Sequence, residues 1–163
     1  MTSDDHLSGL GKLLANLHSL ELLLRIYLIN RPGANPAYKY GEDILELPKG
    51  SKLPKSDLTA HTFFSNLVED FNDIAKSEKT QAIDEKVIEI RNILVHGCVF
   101  GREPEFPLHI VKFSKPEDGM VTITTNTAMT LEWFDQQHKI IRSAIEIVLT
   151  KSELSDNSQN SNS

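Results

Sequence analysis

The fold is decided by residues 80–97, TQAIDEKVIEIRNILVHG. Apolar residues recur there at intervals of three and four, the spacing that places side chains on one face of a helix, at Ile83, Val87, Ile90 and Leu94. The pattern predicts a core helix from about Thr80 to His96. Gly97 follows, and glycine is strongly favoured just past the end of a helix.

The residues before this helix predict two more helices with a long loop between them. A leucine-rich amphipathic helix is expected over 5–30, and another from a cap at Ser56 or Asp57 to Ser77. Prolines and glycines are frequent in 31–56, so we interpret that segment as a loop. A loop of this length is unusual inside a compact domain and is typical of functional or mobile segments.

The residues after the core helix predict a β-hairpin and a last helix. Two runs of β-branched and apolar residues, 108–113 and 120–124, flank the turn sequence Lys-Pro-Glu-Asp-Gly. Thr130 is a residue type that caps helices, and the apolar spacing after it predicts a helix to about Lys151. We interpret His138 and Arg142, one turn apart on this helix, as a surface pair.

Together these elements predict an all-α fold, an antiparallel four-helix bundle with a β-hairpin inserted before the last helix. Residues 1–152 are expected to form the helical domain. The polar, low-complexity residues 153–163 are expected to be a disordered tail.

Composition narrows the classes of function. The net charge of −6 argues against a protein that coats nucleic acid nonspecifically, because that role needs a broad basic face. It leaves room for a local site where two or three cations hold one phosphate. Cys98 is the only cysteine, so no intrachain disulfide is expected. We expect no membrane segment and no signal peptide, and therefore a cytoplasmic location.

Two charged residues occupy positions where a bundle calls for apolar ones. Arg91 falls between the apolar stripes of the core helix. Glu21 falls within a seam of leucines on the first helix, at Leu7, Leu10, Leu14, Leu17, Leu24 and Leu28. A buried charge costs several kcal/mol unless it is paired. We therefore expect Glu21 to meet Arg91 across the core, with Arg25 as the competing partner; such a pair also fits a purely structural role in fixing helix register.

His96 ends the same helix as Arg91, at a place where a side chain can reach a cleft. Imidazole titrates near neutral pH and can act as a base or an acid. Asn92, one turn earlier, can orient the ring or a phosphate oxygen. Arg91 and His96 project ~140° apart on an ideal helix. They converge if the helix frays at Gly97 or if two copies pair along it, and we favour pairing because a two-fold axis gathers two Arg and two His in one groove.

The sequence Arg91-Asn92-x-x-x-His96, followed by Gly97, resembles the signature of the HEPN family of helical domains. In that signature, Arg, a polar residue that is often Asn, three to five further residues and His stand near the end of a core helix. Glu21 and Arg25 are similar to an acidic-then-basic pair on the first helix of some branches. The predicted architecture agrees with the family over about 5–150.

The resemblance implies a metal-independent endoribonuclease that works as a dimer through the helix of Arg91 and His96. These two would be the catalytic residues, with Asn92, Glu21 and Arg25 in support. His96 would take the proton of the 2′-hydroxyl or protonate the leaving oxygen, and Arg91 would hold the scissile phosphate. No metal and no cofactor is implied.

The resemblance also implies partners, namely RNA, a second copy of the chain and an antitoxin protein. Many HEPN relatives are toxins of toxin–antitoxin or antiviral defence systems. In one branch a Tyr two residues after the His is modified by the antitoxin, and Cys98 in that position argues against this mode of control. The alternative interpretation is a noncatalytic HEPN module that binds nucleotide or a partner protein.

Overall fold

A computed structural model describes residues 1–31, 47–52, 61–101 and 107–160, with only the backbone described over 153–160. Most of the predicted 31–56 loop, with the cap at Ser56 or Asp57, lies outside the described residues. The described chain is mostly helical and carries a small three-stranded antiparallel sheet. The helical part of the predicted fold class is therefore confirmed, whereas the sheet is larger than a hairpin.

The described elements follow one another as α1 (Ser3–Asn30), α2 (Phe64–Ser77), α3 (Lys86–His96), β1 (Cys98–Phe100), β2 (His109–Phe113), β3 (Ile123–Ala128) and α4 (Leu131–Asn160). They belong to two compact units. The first unit consists of Met1–Ser19 and Asp84–Ala144, and the second of Leu20–Ile83 and Ile145–Ser163. None of the described helices is long and apolar enough to cross a membrane.

The buried face of α1 shares Leu17, Leu24 and Leu28 with the predicted seam but includes Leu13 and Leu20 in place of Leu14 and Glu21. At the start of the helix, Leu7 of the predicted seam is 64% exposed. Leucines occupy several faces of this helix, so spacing alone fits two overlapping seams, and packing selects one. As a result Glu21 lies beside the seam, with its side chain 32% exposed, rather than within it as expected.

The start of α3 lies at Lys86, later than the predicted start at Thr80. The side chain of Asn72 explains the delay. Its Nδ2 donates to the carbonyl oxygen of Ile83 at 3.0 Å, and its Oδ1 accepts the backbone N–H of Ile83 at 2.8 Å. Because both backbone groups of Ile83 are bound to Asn72, they do not join the hydrogen bonds of a helix. Residues 61–63 are not helical either, so α2 begins at Phe64, later than the predicted start, and ends at Ser77 as predicted.

The sheet has the order β1-β2-β3, with antiparallel neighbours. The pairing of β2 with β3 confirms that a hairpin is present, but its second strand is Ile123–Ala128 rather than the predicted 120–124. Strand β1 was not predicted, and it begins one residue after α3 ends, pairing Cys98 with Val111 and Phe100 with His109. Gly97 makes this close connection possible, because a Cβ at Gly97 would lie 2.8 Å from a side-chain carbon of Ile110.

Helix α4 starts as predicted and ends later. The hydroxyl of Thr130 accepts the backbone N–H of Trp133 at 3.1 Å, which confirms the predicted cap. The helix then continues past Lys151 to Asn160, into residues expected to be a disordered tail. No proline or glycine follows Thr130 in the sequence, so no helix-breaking residue ends it sooner.

Residues later in α1 contact residues later in α4, so the two helices run in the same direction where they contact each other. In the first unit, the ring of His6 lies 5.5 Å from that of Phe134, and Asn16 contacts His138. In the second unit, the ammonium of Lys151 lies 5.9 Å from the ring centroid of Tyr27. The term antiparallel was therefore wrong for this pair of helices.

Candidate functional site

The predicted site residues Arg91, Asn92 and His96 all lie on α3, in the first compact unit. Arg91 and Asn92 are half-buried, and His96 is exposed. The helix remains regular to its end, since the backbone N–H of Gly97 still donates to the carbonyl oxygen of Ile93 at 2.8 Å. Fraying at Gly97 therefore does not bring Arg91 and His96 together. On a regular helix the two side chains leave on different sides, ~140° apart.

Arg91 is less deeply placed than the sequence suggested. The buried residues of α3 are Val87 and Ile90, and Arg91 at the edge of that face keeps part of its surface in solvent. Half-burial suits arginine because its apolar stem can pack while the guanidinium stays hydrated. Within the described residues, Arg91 forms no ion pair.

Glu21 pairs with the competing partner, Arg25, rather than with Arg91. Arg25 Nη2 lies 2.8 Å from Glu21 Oε1 and donates to the carbonyl oxygen of Thr62 at 3.0 Å. The arginine thus joins α1 to the segment just before α2. Both partners of this ion pair belong to the second unit, whereas Arg91 belongs to the first. Glu21 and Arg25 consequently have a structural role that needs no ligand.

Apolar side chains are exposed on both sides of His96 along the chain. Val95 precedes it at the end of α3, and Val99 and Phe100 follow it on β1. Strand β1 pairs with β2 and, among the described strands, with no other, so it is an edge strand of the described sheet. Exposed apolar surface next to an unpaired strand edge is typical of a protein contact site.

The sheet carries a second exposed imidazole that the sequence did not indicate as a site. His109 is paired with Phe100, and its Nδ1 lies 2.9 Å from Oδ1 of Asn126 on β3. Because an amide oxygen only accepts, Nδ1 is the ring nitrogen that donates in this contact. The pairing depends on the register of two strands, and no spacing in the sequence reveals it.

No family model matches the chain, and no curated protein or solved structure matches it either. The resemblance to HEPN domains consequently rests on the residues of α3 and on the helical character of the chain.

Proposed function

We propose that this protein is a homodimeric, metal-independent endoribonuclease of the HEPN type, acting as a toxin or an antiviral defence effector. The observation that carries the proposal is the placement of Arg91 and His96 on one short helix that ends at an exposed His96. Arg91 has no ion-pair partner among the described residues, which leaves its guanidinium available to a phosphate.

The proposed chemistry uses one proton carrier and one cation. His96 takes the proton of the RNA 2′-hydroxyl as this oxygen attacks the adjacent phosphorus, or protonates the leaving 5′-oxygen. Arg91 binds the scissile phosphate and offsets the negative charge that grows in the transition state. DNA lacks the attacking hydroxyl, so it is not a substrate. Asn92 supports the site by orienting the phosphate or the ring.

The dimer is needed because one regular helix directs Arg91 and His96 to different sides. Antiparallel pairing of α3 with α3 of a second copy, about a two-fold axis across the helices, would place Arg91 of one copy beside His96 of the other. The exposed Val95, Val99 and Phe100 supply apolar surface for this contact. The four helices are proposed to form a bundle in which α1 and α4 run in the same direction. The proposed partners are RNA and an antitoxin protein.

The proposal is tested by incubating the purified protein with single-stranded RNA in the presence of EDTA. Cleavage is expected, and replacing the nucleotide 5′ of a mapped cut by its 2′-deoxy form should block that cut. His96→Ala and Arg91→Ala should each abolish cleavage with little change in thermal unfolding. His18→Ala, which removes another exposed histidine on α1, is the matched control and should cleave normally. Wild-type rates in the His96 and Arg91 variants would contradict the assignment.

The divergence of Arg91 and His96 on α3 also favours a second candidate, a noncatalytic HEPN module that binds nucleotide or a partner protein. A chain that stays monomeric cannot bring the two side chains together. This candidate predicts a monomer by light scattering, no RNA cleavage at any protein concentration, and an Arg91→Ala variant whose main defect is lower thermal stability.

A further inference from the structure

A polar and basic cluster lies between α1 and α4 in the first compact unit, apart from the residues of α3. At its centre Asn16 Nδ2 lies 3.3 Å from His138 Nδ1, and both residues are half-buried. Because an amide nitrogen only donates, Nδ1 accepts and the proton of the neutral ring is on Nε2. The Nε2–H group is then a donor available to a ligand.

Two cations flank this pair, one on each helix. Lys12 precedes Asn16 by one helical turn, and Arg142 follows His138 by one turn. Both are exposed, and neither forms an ion pair within the part of the chain that the structure describes. Burial lowers the pKa of His138, and the charges of Arg142 and Lys12 lower it further, while Asp135 acts in the opposite direction. Two of the three charged neighbours of the ring are therefore cations, in a protein whose net charge is −6.

We propose that Lys12, Asn16, His138 and Arg142 form a second phosphate-binding site, which holds a backbone phosphate of the RNA away from the scissile bond. That the bound phosphate belongs to RNA rests on the proposed function. The affinity for phosphate itself rests on the four residues of the cluster. Two cations, an amide and a ring N–H are donors, and phosphate oxygens accept hydrogen bonds from all of them.

The site is expected to bind more tightly as the pH falls. The charged groups around His138 are Lys12 on α1 and Arg142 and Asp135 on α4. A bound phosphate adds negative charge beside the ring and raises the pKa of His138. By linkage, protonation of His138 then strengthens binding by the same factor. Asn16 can follow the change by turning its amide oxygen toward Nδ1.

The experiment measures binding, not cleavage, with a fluorescent RNA whose 2′-oxygens are all methylated, so that it cannot be cut by 2′-hydroxyl attack. Lys12→Ala combined with Arg142→Ala should weaken the affinity by about tenfold or more. It should also reduce the slope of log affinity against log salt by about 0.7, the value for one phosphate contact on a single strand. Lys139→Ala, which removes an exposed cation from the same helix, is the control. Asp135→Asn should tighten binding.

Three other kinds of result would overturn the site, RNA as its ligand, or the proposed ribonuclease. Equal affinity in the double variant and the wild type, or an equal loss in Lys139→Ala, overturns the site. If inorganic phosphate raises the pKa of His138, as measured by NMR, but the methylated RNA does not bind, then RNA is not the ligand that supplies the phosphate. A protein that binds the methylated RNA through Lys12 and Arg142 but cuts no RNA would refute the proposed ribonuclease and leave this site standing.

Discussion

Gly9 and Gly11 lie close together on α1 and have opposite surroundings. A Cβ built on Gly9 would lie 2.8 Å from ring carbons of Phe134, whereas nothing lies within 4 Å of a Cβ on Gly11. In the sequence both glycines read only as weak helix formers. The structure shows that Gly9 is the residue that lets the aromatic ring approach the helix backbone.

Alanine at these two positions is therefore expected to have opposite effects on stability. Gly11→Ala should raise the free energy of unfolding by about 0.5–1 kcal/mol, the usual gain for alanine in a helix. Gly9→Ala should lower it by about 1–3 kcal/mol, because the ring of Phe134 has to shift. Urea unfolding of both variants measures the difference. Stabilisation of similar size in both would show that Phe134 does not pack against Gly9.

His6 makes stability depend on pH. Its side chain is buried against Phe134, and burial lowers its pKa. The folded state therefore favours the neutral ring, while the unfolded chain protonates near pH 6.5. This contribution to stability is present above about pH 6.5 and is lost as the pH falls toward the lower pKa of the folded state.

We expect the free energy of unfolding to be lower at pH 5.5 than at pH 7.5, and His6→Leu to show a smaller difference between the two. His138, whose pKa is also lowered, should keep part of the pH dependence in the variant. Urea unfolding at the two pH values measures this. An unchanged difference in His6→Leu would contradict the account.

Among the secondary-structure elements, the start of α3 depends on Asn72, which binds the backbone of the segment that precedes it. Its two hydrogen bonds to the backbone of Ile83 are partly buried, so their loss leaves a donor and an acceptor unpaired. Asn72→Ala should lower the free energy of unfolding by about 1–3 kcal/mol. Asn66→Ala, an exposed position on the same helix, should change it by less than about 0.5 kcal/mol. Thermal unfolding compares the two, and an equal effect would remove Asn72 from this role.

The sequence predicted those elements whose signals are local. The end of α3 at His96, the hairpin of β2 and β3 and the cap at Thr130 each depend on a few neighbouring residues. The start of α3 depends instead on Asn72, a residue from another helix. Strand β1 is only three residues long, too short for an alternating pattern, and it exists because β2 lies beside it. Both features come from tertiary contacts.

The same distinction applies to the candidate site. Arg91, Asn92 and His96 lie where the sequence placed them, near the end of a helix. The partner of Glu21 was not decided by sequence, because the leucines of α1 fit two seams and only packing selects between them. The contact of Asn16 with His138 depends on how α1 packs against α4 in the first unit, so no pattern in the sequence indicated that His138 is more than a surface residue.

In the whole molecule, the proposed dimer combines Arg91 of one copy with His96 of another in one active site. The regular end of α3 is the reason, since a single helix directs the two side chains apart. In the proposed dimer, the two residues of each active site therefore come from different chains. Single substitutions do not address it, because either arrangement loses activity when one residue is removed.

The most direct measurement uses mixed dimers in which one copy carries Arg91→Ala and the other His96→Ala, purified through different tags. Each mixed dimer then contains one site with both residues intact. RNA cleavage is expected to return to about half of the wild-type rate per dimer, while dimers of either variant alone stay inactive. Mixed dimers as inactive as the two parents, or a protein that does not dimerise, would contradict the account.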